Sequence, residues 1–130
     1  MYRRILLPGI FLSLSVSLSS AALAQSETTN PSFPARGHQY ELKFTDRQFQ
    51  VDYKTDGKEM TFTRPDGSGD TAQYTATEVR PNVFMVYWTG SKDGTHVTQV
   101  LDFEREIIYA TAAYKDGRFL SLRGTIKRLQ

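Results

Sequence analysis

Three polar side chains, Arg64, Gln73 and Gln99, fall among apolar residues in stretches that otherwise alternate, and their chemistry is that of ligand orientation. A guanidinium can hold an anion, and an amide can both donate and accept. A polar group buried on an apolar face must find a partner, and an unfilled pocket supplies one through water or ligand. Tyr40, Phe62 and Trp88 share the same parity and would form the apolar walls of that pocket. For Arg64 a second role is open: it abuts Pro65 at a strand end and can equally reach solvent along its aliphatic stem.

Other chemistries find less to rest on. The chain has no cysteine, which excludes disulfides, thiolate metal sites, a cysteine nucleophile and a lipid-modified N-terminal cysteine. His38 and His96 are the two histidines, and they fall on different strands; surface or hairpin hydrogen bonding is their expected role, and no metal or other cofactor is expected. Ser91 and Ser121 lack a strand-to-helix elbow that would expose a nucleophile. Glu78 would be a general base only if it turned inward, and beside Arg80 it reads as half of an exposed charge pair. Arg118, Arg123, Lys127 and Arg128 decorate the outside of a strand, and the aromatic residues, 12% of the chain, alternate as core. No nucleic-acid partner is expected from that pattern.

The elements that must position these residues are strands. Tyr40, Leu42 and Phe44 alternate with polar neighbours, and Phe49, Val51 and Tyr53 repeat the pattern. Further strands are expected over residues 59–64, 71–79, 83–88, 95–103, 106–114 and 118–127, making eight in all. Short turns join them, four containing Asp-Gly at 56–57, 66–67, 93–94 and 116–117. No gap holds a crossover helix, so sequence neighbours should pair. The simplest closure is an all-β, eight-stranded antiparallel up-and-down barrel, with a two-sheet sandwich as the alternative. Val83 to Trp88 is apolar on both faces, so an outward set of Val83, Met85 and Tyr87 needs cover from a loop, the N-terminal leader or a second subunit in a homodimer.

Arg3 and Arg4, a Ser-interrupted apolar run from Ile5 to Leu18, and Ala22-Leu23-Ala24 before Gln25 make residues 1–24 a secretory signal peptide. The run is too short for a stable membrane anchor, so the product is expected in the periplasm or secreted. Residues 25–36 read as a flexible leader and 37–130 as a single domain whose core begins near Gly37. Loss of Arg3 and Arg4 leaves 14 basic against 14 acidic residues, a formally neutral chain.

Residues 78–88 and 95–103, with Gly37–Leu42 (GHQYEL), Tyr74–Pro81 (YTATEVRP) and Gly124–Arg128 (GTIKR), resemble the molybdenum cofactor biosynthesis protein F-like (MoaF-like) family. The resemblance spans residues 37–128 and implies a small calycin-type barrel related in shape to lipocalins. Cofactor-free phenolic acid decarboxylases look like distant relatives, with a similar Val-aromatic-x-Val-x-Trp strand. In the register that strand suggests, their tyrosine positions fall on Leu42 and Phe44, their arginine on Phe62 and their glutamate on Gln73. An apolar pair cannot orient a carboxylate and an amide cannot exchange a proton, so the decarboxylase mechanism is not implied. Nor is a role in a cytosolic cofactor pathway implied for an exported chain. The same register agrees with strand parity in turning Tyr40, Phe62, Arg64, Gln73, Trp88 and Gln99 inward.

The first functional expectation is therefore an exported barrel that binds a small, partly apolar molecule without changing it. Two others stand beside it: a cofactor-independent lyase or isomerase, with Arg64 holding a substrate anion and Glu78 or a tyrosine moving a proton, and an interaction module whose barrel is filled by its own side chains. Interior volume separates them. A cavity of about 300 Å³ or more reaching Arg64 and Gln99 favours binding, and an acid or base of strongly shifted pKa inside it favours an enzyme.

Overall fold

Period-two alternation commits nearly the whole domain to strands, and the computed structural model, which describes residues 32–130, contains eight and no helix. They are β1 (Gln39–Lys43), β2 (Gln48–Tyr53), β3 (Glu59–Thr63), β4 (Gly69–Arg80), β5 (Val83–Thr89), β6 (His96–Asp102), β7 (Ile107–Ala113) and β8 (Phe119–Arg128). Each pairs antiparallel with the next, and β1 also pairs with β8, where Leu42 faces Ile126. The ring is thus a closed barrel and not a sandwich, and each of the eight strands has a paired neighbour on both sides. The signal peptide and the first part of the leader lie outside the described residues.

Asp-Gly chemistry sets the turns. Asp56, Asp66, Asp93 and Asp116 each accept, through Oδ1, the backbone N–H two residues on, at 2.8 to 3.0 Å. The glycine that follows each sits at φ between 68° and 87°, a left-handed conformation that costs a residue without Cβ little. Because strands alternate in direction, the turns after β1, β3, β5 and β7 gather at one end, the mouth. Those after β2, β4 and β6 gather at the other, the floor, beside the chain entering β1.

Side chains fill the floor half. Tyr53, Met60, Phe84, Leu101 and Ile108 are at most 1% exposed. The leader reading needs correction here: Phe33 and Ala35 are buried, so the core begins before Gly37. Turn bonds from Arg36 N–H to the Phe33 carbonyl (3.2 Å) and from His38 N–H to the Ala35 carbonyl (3.0 Å) fold this segment under the barrel. Its phenyl ring then enters a layer of Tyr53, Phe84 and Phe103, with centroids 5.3, 5.3 and 5.7 Å away. Burying such a ring contributes about 1.5–3 kcal/mol. On the outer face, Val83 is buried, Met85 is half-buried and Tyr87 is exposed.

Candidate functional site

Antiparallel register stacks the inward side chains in rows. Lowest is Phe84–Leu101–Ile108, ending at Gly124; above it runs Val86–Gln99–Ala110–Leu122, and above that Trp88–Val97–Ala112–Leu120. The lowest row is closed by large side chains. In the upper two, β7 offers only the methyl groups of Ala110 and Ala112, opposite Phe44, just past the end of β1, and Phe49 and Phe62 from β2 and β3. Small residues facing large ones leave a cavity of about 440 Å³ that opens at the mouth. That volume falls in the range of small-molecule pockets.

Of the residues singled out from the sequence, Phe62, Arg64, Trp88 and Gln99 line this cavity. Tyr40 does not. It is buried, but at the floor, against Tyr53 and Phe103 at 6.3 and 5.6 Å, because β1 climbs from floor to mouth and Tyr40 is near its start. Parity gives the face a residue takes and says nothing of its height. Gln73 is a second correction: it is exposed on the outer face. Cross-strand partners share a face, and Gln73 pairs with Glu59, whose carboxylate accepts from its amide at 3.4 Å, while Ala72 pairs with the buried Met60. On β4 the inward residues are Ala72, Tyr74 and Ala76, so the borrowed register is displaced by one residue there, which exchanges the faces. Thr75, two residues on and so on the face of Gln73, also turns outward, opposite Tyr87. A concavity of about 870 Å³ that includes Gln73 runs over β4 to β6 on the outer face, where Thr71, Thr75, Thr89 and Thr98 are among its lining.

Gln99 sits on the cavity floor at 5% exposure, and its Oε1 has no hydrogen-bond partner. At the mouth, the Arg64 guanidinium lies over the Phe49 and Phe62 rings, 5.6 and 5.7 Å from their centroids. The other two cations of the lining are engaged. Arg47 donates twice to Asp46, both at 3.0 Å, and Lys92 Nζ donates to the Gly69 carbonyl at 2.5 Å. The carboxylates of the lining are engaged too. Asp70 accepts from the Ser91 hydroxyl (2.5 Å) and from the backbone N–H groups of Thr71, Ser91 and Lys92. Those donors, the Ser91 hydroxyl first, hold its carboxyl below the usual range, as the Thr95 N–H does for Asp93. Gly69 permits this closure: a Cβ there would lie 2.0 Å from the Phe62 carbonyl.

The strongly shifted acids lie elsewhere. Burial pushes the Tyr74 phenol up to about 12, with the negative charge of Asp56 adding to it, and burial pushes Tyr53 and Tyr40 up as well. Tyr53 and Tyr74 hydroxyls are buried without partners around Phe33, below the cavity. Glu78 is exposed and accepts from the Ser32 hydroxyl at 3.0 Å, while Arg80 pairs with Asp102 at 3.8 Å and not with Glu78. His96 bonds Thr89 at 2.8 Å, and His38 Nδ1 accepts from Arg128 at 2.9 Å, so both histidines are tied to neighbouring side chains. Among the described residues, no group of three His, Cys, Asp or Glu stands together to hold a metal ion.

Sequence reasoning missed the alanine wall of β7 and the rim formed by Asp70, Lys92 and Asp93. The first has a signal, since Ala110 and Ala112 alternate with Tyr109 and Thr111 in an otherwise bulky barrel. The second depends on two turns meeting, which no local pattern records.

A family model described as MoaF-like matches residues 36–127. No curated protein matches the sequence. Among solved structures, the barrel is similar to a protein of Burkholderia vietnamiensis that carries the provisional name of a beta-lactamase, at 20% identity and a TM-score of 0.70, over 74% of this chain and 96% of that one. At that identity the likeness shows the fold.

Proposed function

The chain belongs to the MoaF-like family, and from that premise we propose that it is an exported β-barrel that takes a small, partly apolar molecule into the mouth half of its interior without altering it. The observation that carries the reading is the open cavity of about 440 Å³ with a buried, unpartnered amide oxygen on its floor. A barrel meant only as a spacer would fill that space, since a void forfeits dispersion contacts and an orphaned acceptor costs about 1–3 kcal/mol. Export rests on the basic, apolar and small-residue order of residues 1–24.

Binding is favoured over catalysis by the state of the lining. Its acids, Asp70 and Asp93, are held in the charged form by hydrogen-bond donors, and no histidine lines the cavity. A group meant to move a proton works best with a pKa near the ambient pH. The name of the Burkholderia protein suggests a hydrolase of β-lactams, but the 130 residues here contain no Ser-x-x-Lys motif to act as its nucleophile.

The test is a fluorescence titration with N-phenyl-1-naphthylamine, a neutral apolar probe. Saturable one-to-one enhancement is expected for the natural sequence and none for Ala112→Phe, whose ring fills the cavity, with circular dichroism showing both folded. A folded natural protein that gives no saturable signal overturns the reading.

A further inference from the structure

We infer that the ligand is an elongated apolar monoanion with a hydrogen-bond donor at its far end, its anionic group against Arg64 at the mouth and its donor on the Gln99 amide at depth. This rests on the binding reading and adds the ligand's chemical class. Two unpaired groups at opposite ends of one apolar cavity carry it.

At the mouth, every charged group of the lining except Arg64 is already engaged. Among the described residues, the Arg64 side chain makes no hydrogen bond and no ion pair; the aromatic faces of Phe49 and Phe62 hold it in place. Asp66, in the same turn, feels its charge but spends its own oxygen on the Ser68 hydroxyl and N–H, at 2.6 and 2.8 Å. Asp70 and Asp93 bring negative charge to the rim, yet their donors partly offset it, and the cations of the lining outnumber them by three to two. A planar guanidinium with free N–H groups beside apolar walls is suited to a carboxylate or sulfonate, which it can grip with two parallel bonds.

At depth, Gln99 Oε1 is buried without a partner; a turn of the terminal amide about its broad last torsion brings it to the cavity, where it can only accept and so calls for a hydroxyl or N–H. Gln99 lies four residues below the rim residue Thr95 on the same side of the barrel. Four residues of tilted strand span roughly 10 Å along the barrel axis. An extended chain of about eight carbons covers that distance, with Val97, Ala112 and Leu122 along its length.

The probes are 8-hydroxyoctanoate, octanoate and methyl 8-hydroxyoctanoate, titrated into the full chain by isothermal calorimetry. We expect the hydroxy acid to bind about tenfold more tightly than its methyl ester, the scale of one charge-assisted bond. The same acid should bind severalfold more tightly than octanoate, although an unpartnered hydroxyl would make it weaker. Arg64→Met should bring acid and ester to the same affinity, with Arg64→Lys restoring part of the difference, and Gln99→Leu should reverse the preference over octanoate. Equal binding of acid and ester, or tighter binding of octanoate, overturns the inference. If N-phenyl-1-naphthylamine binds and none of these three does, the inference falls and the binding reading stands. If no probe binds, both fall.

Discussion

The Phe33 ring meets the Tyr53 ring edge-on, with centroids 5.3 Å apart and planes at 85°. The segment before β1 is thereby part of the floor, and Phe33 also touches Tyr74, Phe84 and Phe103. Phe33→Ala should cost about 3–5 kcal/mol in urea unfolding, the usual range for a large aromatic removed from a core. A loss below about 1 kcal/mol would show that the floor closes without it.

Gln99 carries a stability cost. Its amide oxygen is buried and unpartnered, so Gln99→Leu, close in volume and apolar, should raise the unfolding free energy by about 1 kcal/mol or more. Denaturant midpoints with unchanged slope would report this. A lower midpoint would mean that the amide is satisfied.

Alkaline unfolding should follow the floor tyrosines. The Tyr74 phenol is pushed up to about 12, from an unfolded value near 10. Between those values the unfolded chain gives up a proton that the native protein keeps, so stability is full below about pH 10 and declines as pH rises toward 12, by about 1.4 kcal/mol per pH unit for each such group. Tyr53, pushed up by burial, adds to the slope. Tyr53→Phe and Tyr74→Phe should each flatten the decline measured by urea unfolding at stepped pH.

Asp70 should titrate at unusually low pH. Its four donors stabilise the charged form, so in NMR the Ser91 and Lys92 amide shifts should move with a midpoint below the ordinary aspartate value of about 3.9. The link between the two rim turns is present above that ordinary value and is lost as pH falls through the native one. In Asp70→Ala the movement should vanish.

Gly124 marks the closest approach of β8 to β1. A Cβ there would fall 2.3 Å from the Lys43 carbonyl oxygen and 2.7 Å from the Phe44 ring. Gly124→Ala should therefore destabilise by roughly 1–3 kcal/mol, with loss of protection at the β1–β8 amides in hydrogen exchange. A neutral effect would mean that the seam can widen.

What the sequence makes legible is what period two and turn chemistry encode. Gln99 stands between Val97 and Leu101, both inward, so its burial can be read directly. On β4 the choice is harder, because Thr71, Gln73 and Thr75 compete with Ala72, Tyr74 and Ala76, and neither set is strongly apolar; only the pairing of Ala72 with Met60 decides it. Phe33 is hidden because Pro31, Ser32 and Pro34 around it carry turn chemistry, and nothing local shows that the turn leads under a barrel. Tyr40 has the right face and the wrong height, since height depends on where each strand enters the ring.

Trp88 is the single tryptophan of the chain, and it stands on the cavity wall while Tyr40, Tyr53 and Tyr74 are buried in the core with none of them on that wall. Light absorbed by the phenols can pass to that indole by resonance transfer, so emission reads one place in the molecule. Any guest that displaces solvent beside it alters the colour and yield of that emission. The barrel carries its own optical sensor, which can be used to screen extracts for a guest without dye or label.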